Sequence, residues 1–472
     1  MAATGPAAEL ELVPERPETQ AAGAGGWTAV SVYALILLFI LNLSSYLDRS
    51  ILAILSQPIK QDLRLQDWQV GVIGGPAFGL LYSLAGIPIA RLAERMNRIN
   101  LVSLACAVWS GMTAACGVAA GFLTLGLARA GTGGAEGAAS PISYALVTDY
   151  FAPRQRGRAM SVLMASSPCA QLLAPLLGGF MAMHYGWRAA FLVVGLPGLL
   201  LALLMRFTLT EPRQDTRVSV TSQIGRGRFL PDLKRLFRVR AFSWLFVAST
   251  FMMIGVAGTQ QFTAMHLMRT FHLSLMQAGV VTATGMGAIA LLGTVVGGVV
   301  ADRFAGRYGR SYFYVCAASS FFSGVFFLLA FRSVDLTAAI VLLFIANFAT
   351  SLKNGTAVAA NMRVAPPDLR ATSAAIIMFS VVVLGTSLGP LIIGLISDGV
   401  AAQQFPRALG TFAAACPGGR AAASGGAALV AGCAKASAGG LRAAMLAPSI
   451  SFFFSGALYC IAGRSLNEKL DG

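Results

Sequence analysis

Five ionisable residues of this chain stand inside apolar stretches where water does not ordinarily reach. Asp48 and Arg49 lie in Tyr46-Leu47-Asp48-Arg49, Arg129 and Glu136 bracket Ala130-Gly131-Thr132-Gly133-Gly134-Ala135, and Lys353 precedes Asn354 in a third stretch. Holding such a group at the centre of a bilayer costs roughly 2.5–3.5 kcal/mol, so each needs a partner or a task. A buried carboxylate beside an arginine stays ionised, and protonating it releases the arginine. The plain reading of such a set is a fixed buried ion pair that only holds helices one and four together. The spacing of Arg129 and Glu136 is almost two helical turns, which puts both on one face, about 10 Å apart along the axis. The glycines between them let a neighbouring helix approach closely. Asp48 lies about 13 Å, and Arg129 about 10 Å, from the outer ends of their stretches, compatible depths for a pair.

Lys353 has no acidic residue within its own stretch, so it either meets an anionic group from outside it or snorkels toward an interface. Asn347, Asn354 and Asn361 recur every seven residues and draw a polar stripe beside it, and Gln260 and Gln261 are similarly placed in another stretch. These amides either line a central cavity or bond helix to helix.

Elements that could hold these groups follow from composition. Hydrophobic residues make up 56% of the 472 residues and charged residues 11%, against roughly 25% charged in a soluble domain. A soluble chain could not cover its surface with so few charges. Windows of about 20 apolar residues, enough to cross a bilayer, fall at about 28–57, 70–90, 100–120, 122–146, 160–182, 189–208, 241–266, 277–300, 312–331, 336–361, 372–397 and 443–463. The runs are continuous rather than alternating, which predicts helices and excludes a barrel. The expected fold is therefore all-α, a polytopic membrane protein of twelve spans.

The net charge of +16 is a matter of topology. Most of the 35 Lys and Arg lie in the tails and in the connections on the side of both termini, which places those on the cytoplasmic side and makes a nucleic-acid partner unnecessary. Residues 1–26 hold Glu9, Glu11, Glu15 and Glu18 against Arg16, so they read as a disordered tail without a signal peptide. The preference for Arg over Lys, with no glycosylation site in an outer loop, favours a bacterial inner membrane.

The spans divide six and six, as 27–208 and 241–472, around a basic linker at 209–240. Ala90-Arg91-Leu92-Ala93-Glu94-Arg95-Met96-Asn97-Arg98 after the second span answers Val300-Ala301-Asp302-Arg303 and Gly309-Arg310 after the eighth; Ala152-Pro153 after the fourth answers Ala365-Pro366 after the tenth; Pro175 and Gly179 in the fifth answer Pro390 and Gly394 in the eleventh. Such repetition implies two like-oriented, pseudo-symmetric bundles of six, with a solute held between them near the midplane.

The segment at 301–310 resembles the signature loop of the major facilitator superfamily. That resemblance implies a secondary transporter whose Glu94, Arg98, Asp302, Arg303 and Arg310 clamp the cytoplasmic ends, with Glu94 and Asn97 departing from the usual Asp and Gly. Asp48-Arg49, Arg129 and Glu136-Gly137-Ala138-Ala139-Ser140 resemble the spinster branch, the lysolipid and sphingosine-phosphate transporter relatives. By that likeness Asp48 and Glu136 are proton-responsive and Arg129 is their partner or a substrate anchor.

The histidines His184, His266 and His272 form no metal-binding pattern, and neither a Walker loop nor a nucleophile elbow is present. No enzyme activity, cofactor or metal is expected. The expectation is a monomeric, proton-coupled carrier of a small organic or amphipathic solute, anionic or lipid-like, with an uncoupled facilitator and a transporter-like sensor as alternatives. A long outer connection at about 399–442 carries Cys416 and Cys433. In an oxidising compartment these form a bridge across a loop of about 18 residues, against the alternative of two free thiols.

Overall fold

The computed structural model describes residues 27–212, 229–305, 310–421 and 425–466, and leaves undescribed a few side chains within helices, those of Glu94 and Asp302 among them. Spans one, three, six, seven and nine are continuous helices: Ala29–Asp62, Arg98–Gly117, Trp187–Thr208, Arg240–Thr270 and Ser311–Arg332. Spans two, four, five, eight, ten and eleven are interrupted. Span two is Asp67–Gly74 and Pro76–Arg95, span four Phe122–Glu136 and Ala139–Tyr150, span five Pro153–Met164 and Ser166–Tyr185, and span ten Leu336–Ser351 and Lys353–Val364. Span eight (Leu275–Ala305) and span eleven (Arg370–Gln404) each contain one wide π turn, at Thr284–Ile289 and Ser380–Thr386. Span twelve is Ala447–Arg464. Among the described residues, eleven helical runs are long and apolar enough to cross a membrane. The fourth span is absent from that set because its break at Gly137–Ala138 leaves two short helices.

Interruptions fall at matching places in the two halves: span two against eight, four against ten, five against eleven. The turns repeat as well. Arg64 and His272, each two residues past a long helix, both adopt left-handed φ of 55°. Just beyond them, Gln69 Oε1 accepts from the Gln66 amide at 2.8 Å and Gln277 Oε1 from the Ser274 amide at 2.9 Å, each satisfying a first-turn donor.

The halves meet on the face away from the termini, called distal below. Span one packs along span seven, span two crosses span eleven and span five crosses span eight. Glycine makes both crossings possible: a Cβ on Gly71 would sit 2.5 Å from the Pro390 carbonyl oxygen, and one on Gly279 would sit 2.7 Å from that of Pro175. These contacts are symmetry mates.

The connection at 399–442 is more ordered than the sequence suggests. Span eleven continues to Gln404, and a helix at Ala427–Ala444 lies along it and leads into span twelve. A disulfide joins Cys416 to Cys433 with Cα atoms 5.6 Å apart. Gly418, at φ 69°, rests on span one, where a Cβ would meet the Lys60 oxygen at 2.9 Å. The second half thus reaches over the first. Within the linker, Phe229–Arg238 is helical, with Leu236 buried and Arg235 bonded to Asp368 at 2.5 Å; residues 213–228 lie outside the described residues.

Candidate functional site

Spans one, two, three and four bring four of the five intramembrane charges together, all but Lys353. Span four lies so close to span two that a Cβ on Gly133 would strike the Phe78 oxygen and one on Gly137 would lie 2.6 Å from the Tyr82 oxygen. That approach sets the rings of Phe78 and Tyr82 beside the charged cluster. Span one supplies Ser45, Tyr46, Asp48 and Arg49 within little more than one turn.

Glu136 is fully buried, and its Oε2 accepts from Arg49 Nε at 2.7 Å and from Ser45 Oγ at 2.8 Å. The Arg49 guanidinium lies over three rings, 4.4 Å from the Tyr82 centroid, 5.2 Å from Phe78 and 5.3 Å from Tyr46, an arrangement in which cation–π attraction supplements the ion pair. The Asp48 carboxylate accepts from Thr113 Oγ1 at 3.0 Å. Arg129 is also buried; its Nη1 donates to the backbone oxygen of Asp48 at 3.1 Å and its guanidinium lies 5.0 Å from Phe78. Buried atoms without a hydrogen-bond partner among the described residues include Asp48 Oδ1, Glu136 Oε1 and Arg129 Nε. Each carboxylate therefore keeps one open oxygen.

Likeness to the spinster branch made Arg129 a partner of the carboxylates or a substrate anchor; in the structure the salt bridge to Glu136 comes from Arg49, and Arg129 bonds the backbone of span one. The depths were compatible, but Arg49 reaches Glu136 directly from a neighbouring helix. Arg129 and Glu136 occupy one helix, too far apart along the axis to bond.

Lys353 opens the second helix of span ten, immediately after the break at Leu352, and forms no ion pair among the described residues. Asn354 Nδ2 donates to Thr294 Oγ1 of span eight at 3.0 Å, Asn347 bonds its own helix at the Leu343 oxygen, and Asn361 accepts from Ser373 at 2.6 Å. Gln261 Nε2 donates across the halves to Ser56 Oγ at 2.7 Å; Gln260 is half-buried next to it. For Asn347, Asn354, Asn361 and Gln261, helix bonding is what the geometry contains.

On the terminal face, Arg98 does not reach across the halves. It pairs with Asp149 at 2.7 Å and Glu211 at 2.5 Å inside the first half, and Asn97 caps the same helix by accepting from the Asn100 amide at 2.9 Å. Arg303 is exposed, and Arg310 Nη2 donates to the Leu466 oxygen at 3.1 Å. The side chains of Glu94 and Asp302 lie outside the described residues. Every hydrogen bond or ion pair linking the halves among the described residues lies distal to Arg49.

Sequence reasoning missed the strongest of these links. Asp67, 2% exposed, receives Lys60 Nζ at 2.7 Å, both Nη atoms of Arg269 at 2.8 Å and Ser397 Oγ at 2.6 Å. Arg269 Nε also donates to Gln57 at 2.7 Å, and the Asp398 carboxylate caps span two by accepting from the amides of Asp67 and Trp68 at 3.1 and 2.7 Å. This latch joins spans one and two to seven and eleven. Its charges stand at span ends, where charges are normally solvated. The one available signal was the repeated Leu-x-x-x-Gln-x-Gly-Val at 65–72 and 273–280 that frames it.

Comparisons with known proteins fit this geometry. Residues 38–390 match the sequence profile described as Major Facilitator Superfamily. An MFS-type efflux pump of Mycolicibacterium smegmatis is 29% identical over 385 residues, 81% of this chain and 87% of that one. The sphingosine-1-phosphate transporter SPNS2 of Xenopus tropicalis is 25% identical over 416 residues, 83% of this chain and 78% of that protein. Among solved structures, an inward-facing, unoccupied bacterial homologue of the human lysosomal transporter spinster superposes with a TM-score of 0.82 at 26% identity, covering 93% of this chain and 98% of the other.

Proposed function

The chain belongs to the major facilitator superfamily, and from that premise we propose that it is a proton-coupled secondary transporter of an organic or amphipathic solute with an anionic head. The observation that carries this reading is the Arg49–Glu136 pair, its carboxylate fully buried and its arginine partly exposed, flanked by Asp48 and Arg129, with one unbonded oxygen on each carboxylate. A proton on Glu136 removes the counter-charge of Arg49. The guanidinium, half-exposed above Tyr46 and Tyr82, then becomes available to an anionic head, while Lys353 offers a second cation from the other half. Deprotonation restores the pair and displaces the head. The break at Gly137–Ala138, one residue beyond Glu136, gives span four a hinge at the switching group. In this reading the distal face is the outside, the latch at Asp67 is the outer gate, and the solute leaves or enters on the side of the termini. Likeness to SPNS2 and to the spinster homologue supports a lipid-like solute, and likeness to the efflux pump supports outward transport.

The test uses proteoliposomes and a solute chosen by thermal shift from lysophospholipids, organic acids and hydrophobic cations. Asp48→Asn and Glu136→Gln abolish accumulation driven by a pH gradient yet retain counterflow exchange. Accumulation by both variants with unaltered pH dependence would make the cluster a structural ion pair.

A further inference from the structure

Two adjoining cavities open on the distal face of the second half, of about 430 and 410 Å³, and they share Gly439 and Arg442. Helix Ala427–Ala444 separates them from one another and forms a wall of both. Their cationic lining is Arg332 on one side, Arg269 and Lys435 on the other, and Arg442 between, with His272 beside Arg269. No carboxylate lines either.

Two of these cations are fixed. Arg442 Nε donates to the Phe331 oxygen at 3.2 Å, and its Nη2 donates to the oxygens of Arg332 and Ser333 at 2.6 and 3.1 Å. Three carbonyls at the end of span nine thus hold the guanidinium in one orientation, with Nη1 left over. Arg269, 6% exposed, is held by Asp67 and Gln57. Arg332 and Lys435 are exposed and make no side-chain hydrogen bond among the described residues. An anchored guanidinium beside exposed cations suits an oxyanion, because the rigid fork supplies geometry and the long side chains supply charge. Half-buried Ala443 and Leu446 add a small apolar margin to one cavity.

We propose that this paired cavity is an oxyanion-binding site, separate from the central cluster, which recognises a phosphate or carboxylate, free or as the head of a single-chain amphiphile. It abuts the outer gate, since Arg269 belongs to both.

Titration calorimetry on the purified full-length chain in a neutral detergent tests it, with inorganic phosphate, oleoyl lysophosphatidate and uncharged monoolein as probes. Phosphate and lysophosphatidate bind, and the double substitution Arg332→Gln/Lys435→Gln weakens both at least tenfold. Arg154→Gln/Arg158→Gln, a charge-matched control on exposed residues of the terminal face, leaves both unchanged. Lysophosphatidate binding more tightly than phosphate identifies an amphiphile head as the source, and equal affinities identify a free oxyanion. Arg442→Gln abolishes binding where it folds; the double variant, confined to exposed side chains, carries the test where it does not. Wild-type affinity in the double variant, an equal loss of binding in Arg154→Gln/Arg158→Gln, or monoolein binding as tightly as lysophosphatidate would each overturn the proposal.

Discussion

Replacing Gly71 by alanine perturbs one conformational state and spares the other. In the distal-closed arrangement the new Cβ lies 2.5 Å from the Pro390 oxygen, 2.9 Å from its carbonyl carbon and 3.0 Å from the Leu391 Cα. All three are backbone atoms of span eleven, so no rotamer change relieves the overlap and the helices must part by about 1 Å. Overpacking of this kind costs typically 1–3 kcal/mol. The gain in helix propensity from Gly to Ala, roughly 1 kcal/mol, is present in both states and cancels from their ratio. Only the closed state carries the clash, so the closed-to-open ratio falls by about 5- to 150-fold. Gly279→Ala, against Pro175, acts in the same direction at the symmetry-related crossing. Gly111→Ala in span three is the control, because its Cβ meets nothing within 4 Å. Electron–electron distances between spin labels at Val118 and Val334 report the populations; both are exposed at distal helix ends, and the five free cysteines are first changed to serine. A lengthened distance population in Gly71→Ala is expected. A distribution matching that of Gly111→Ala would refute the argument that this crossing closes the distal face.

Two further outcomes follow from the same face. Asp67→Asn strands Lys60 and Arg269 without their carboxylate, and breaking a buried pair in this way costs about 3–5 kcal/mol; a lower thermal midpoint and a larger distal-open population are expected, with smaller changes for Asp398→Asn, whose bonds are to backbone amides. Cys433→Ser releases a loop of about 18 residues and lowers stability by roughly 3 kcal/mol on the chain-entropy argument; reduction brings the wild-type unfolding midpoint to that of the variant, and a midpoint indifferent to reductant would contradict it.

Hydropathy alone located the spans, because a bilayer demands long apolar runs and tolerates few alternatives. It located Asp48, Arg49, Arg129 and Glu136 for the same reason: a charge in an apolar run stands out. What it could not supply was partner choice, since only the packing of span one against span four shows that Arg49, and not another cation, reaches Glu136. The latch escaped notice because Lys60, Asp67 and Arg269 look like ordinary end-of-helix charges until three helices converge on them. Residues 427–444 read as a loop because their Ala and Gly are weakly hydropathic, yet an alanine-rich segment lying along span eleven is a good helix. The breaks in spans two, five and ten have no composition signal beyond Gly or Pro nearby, and they become interpretable once the two halves are compared.

The central claim is that protonation of the Arg49–Glu136 cluster drives solute movement. Its most direct measurement is proton flux into pyranine-loaded proteoliposomes when solute is added without an imposed gradient. A solute-dependent pH change in the wild type, absent in Glu136→Gln with counterflow intact, is the predicted result. Solute uptake by the wild type at undiminished rate with no accompanying pH change would contradict it.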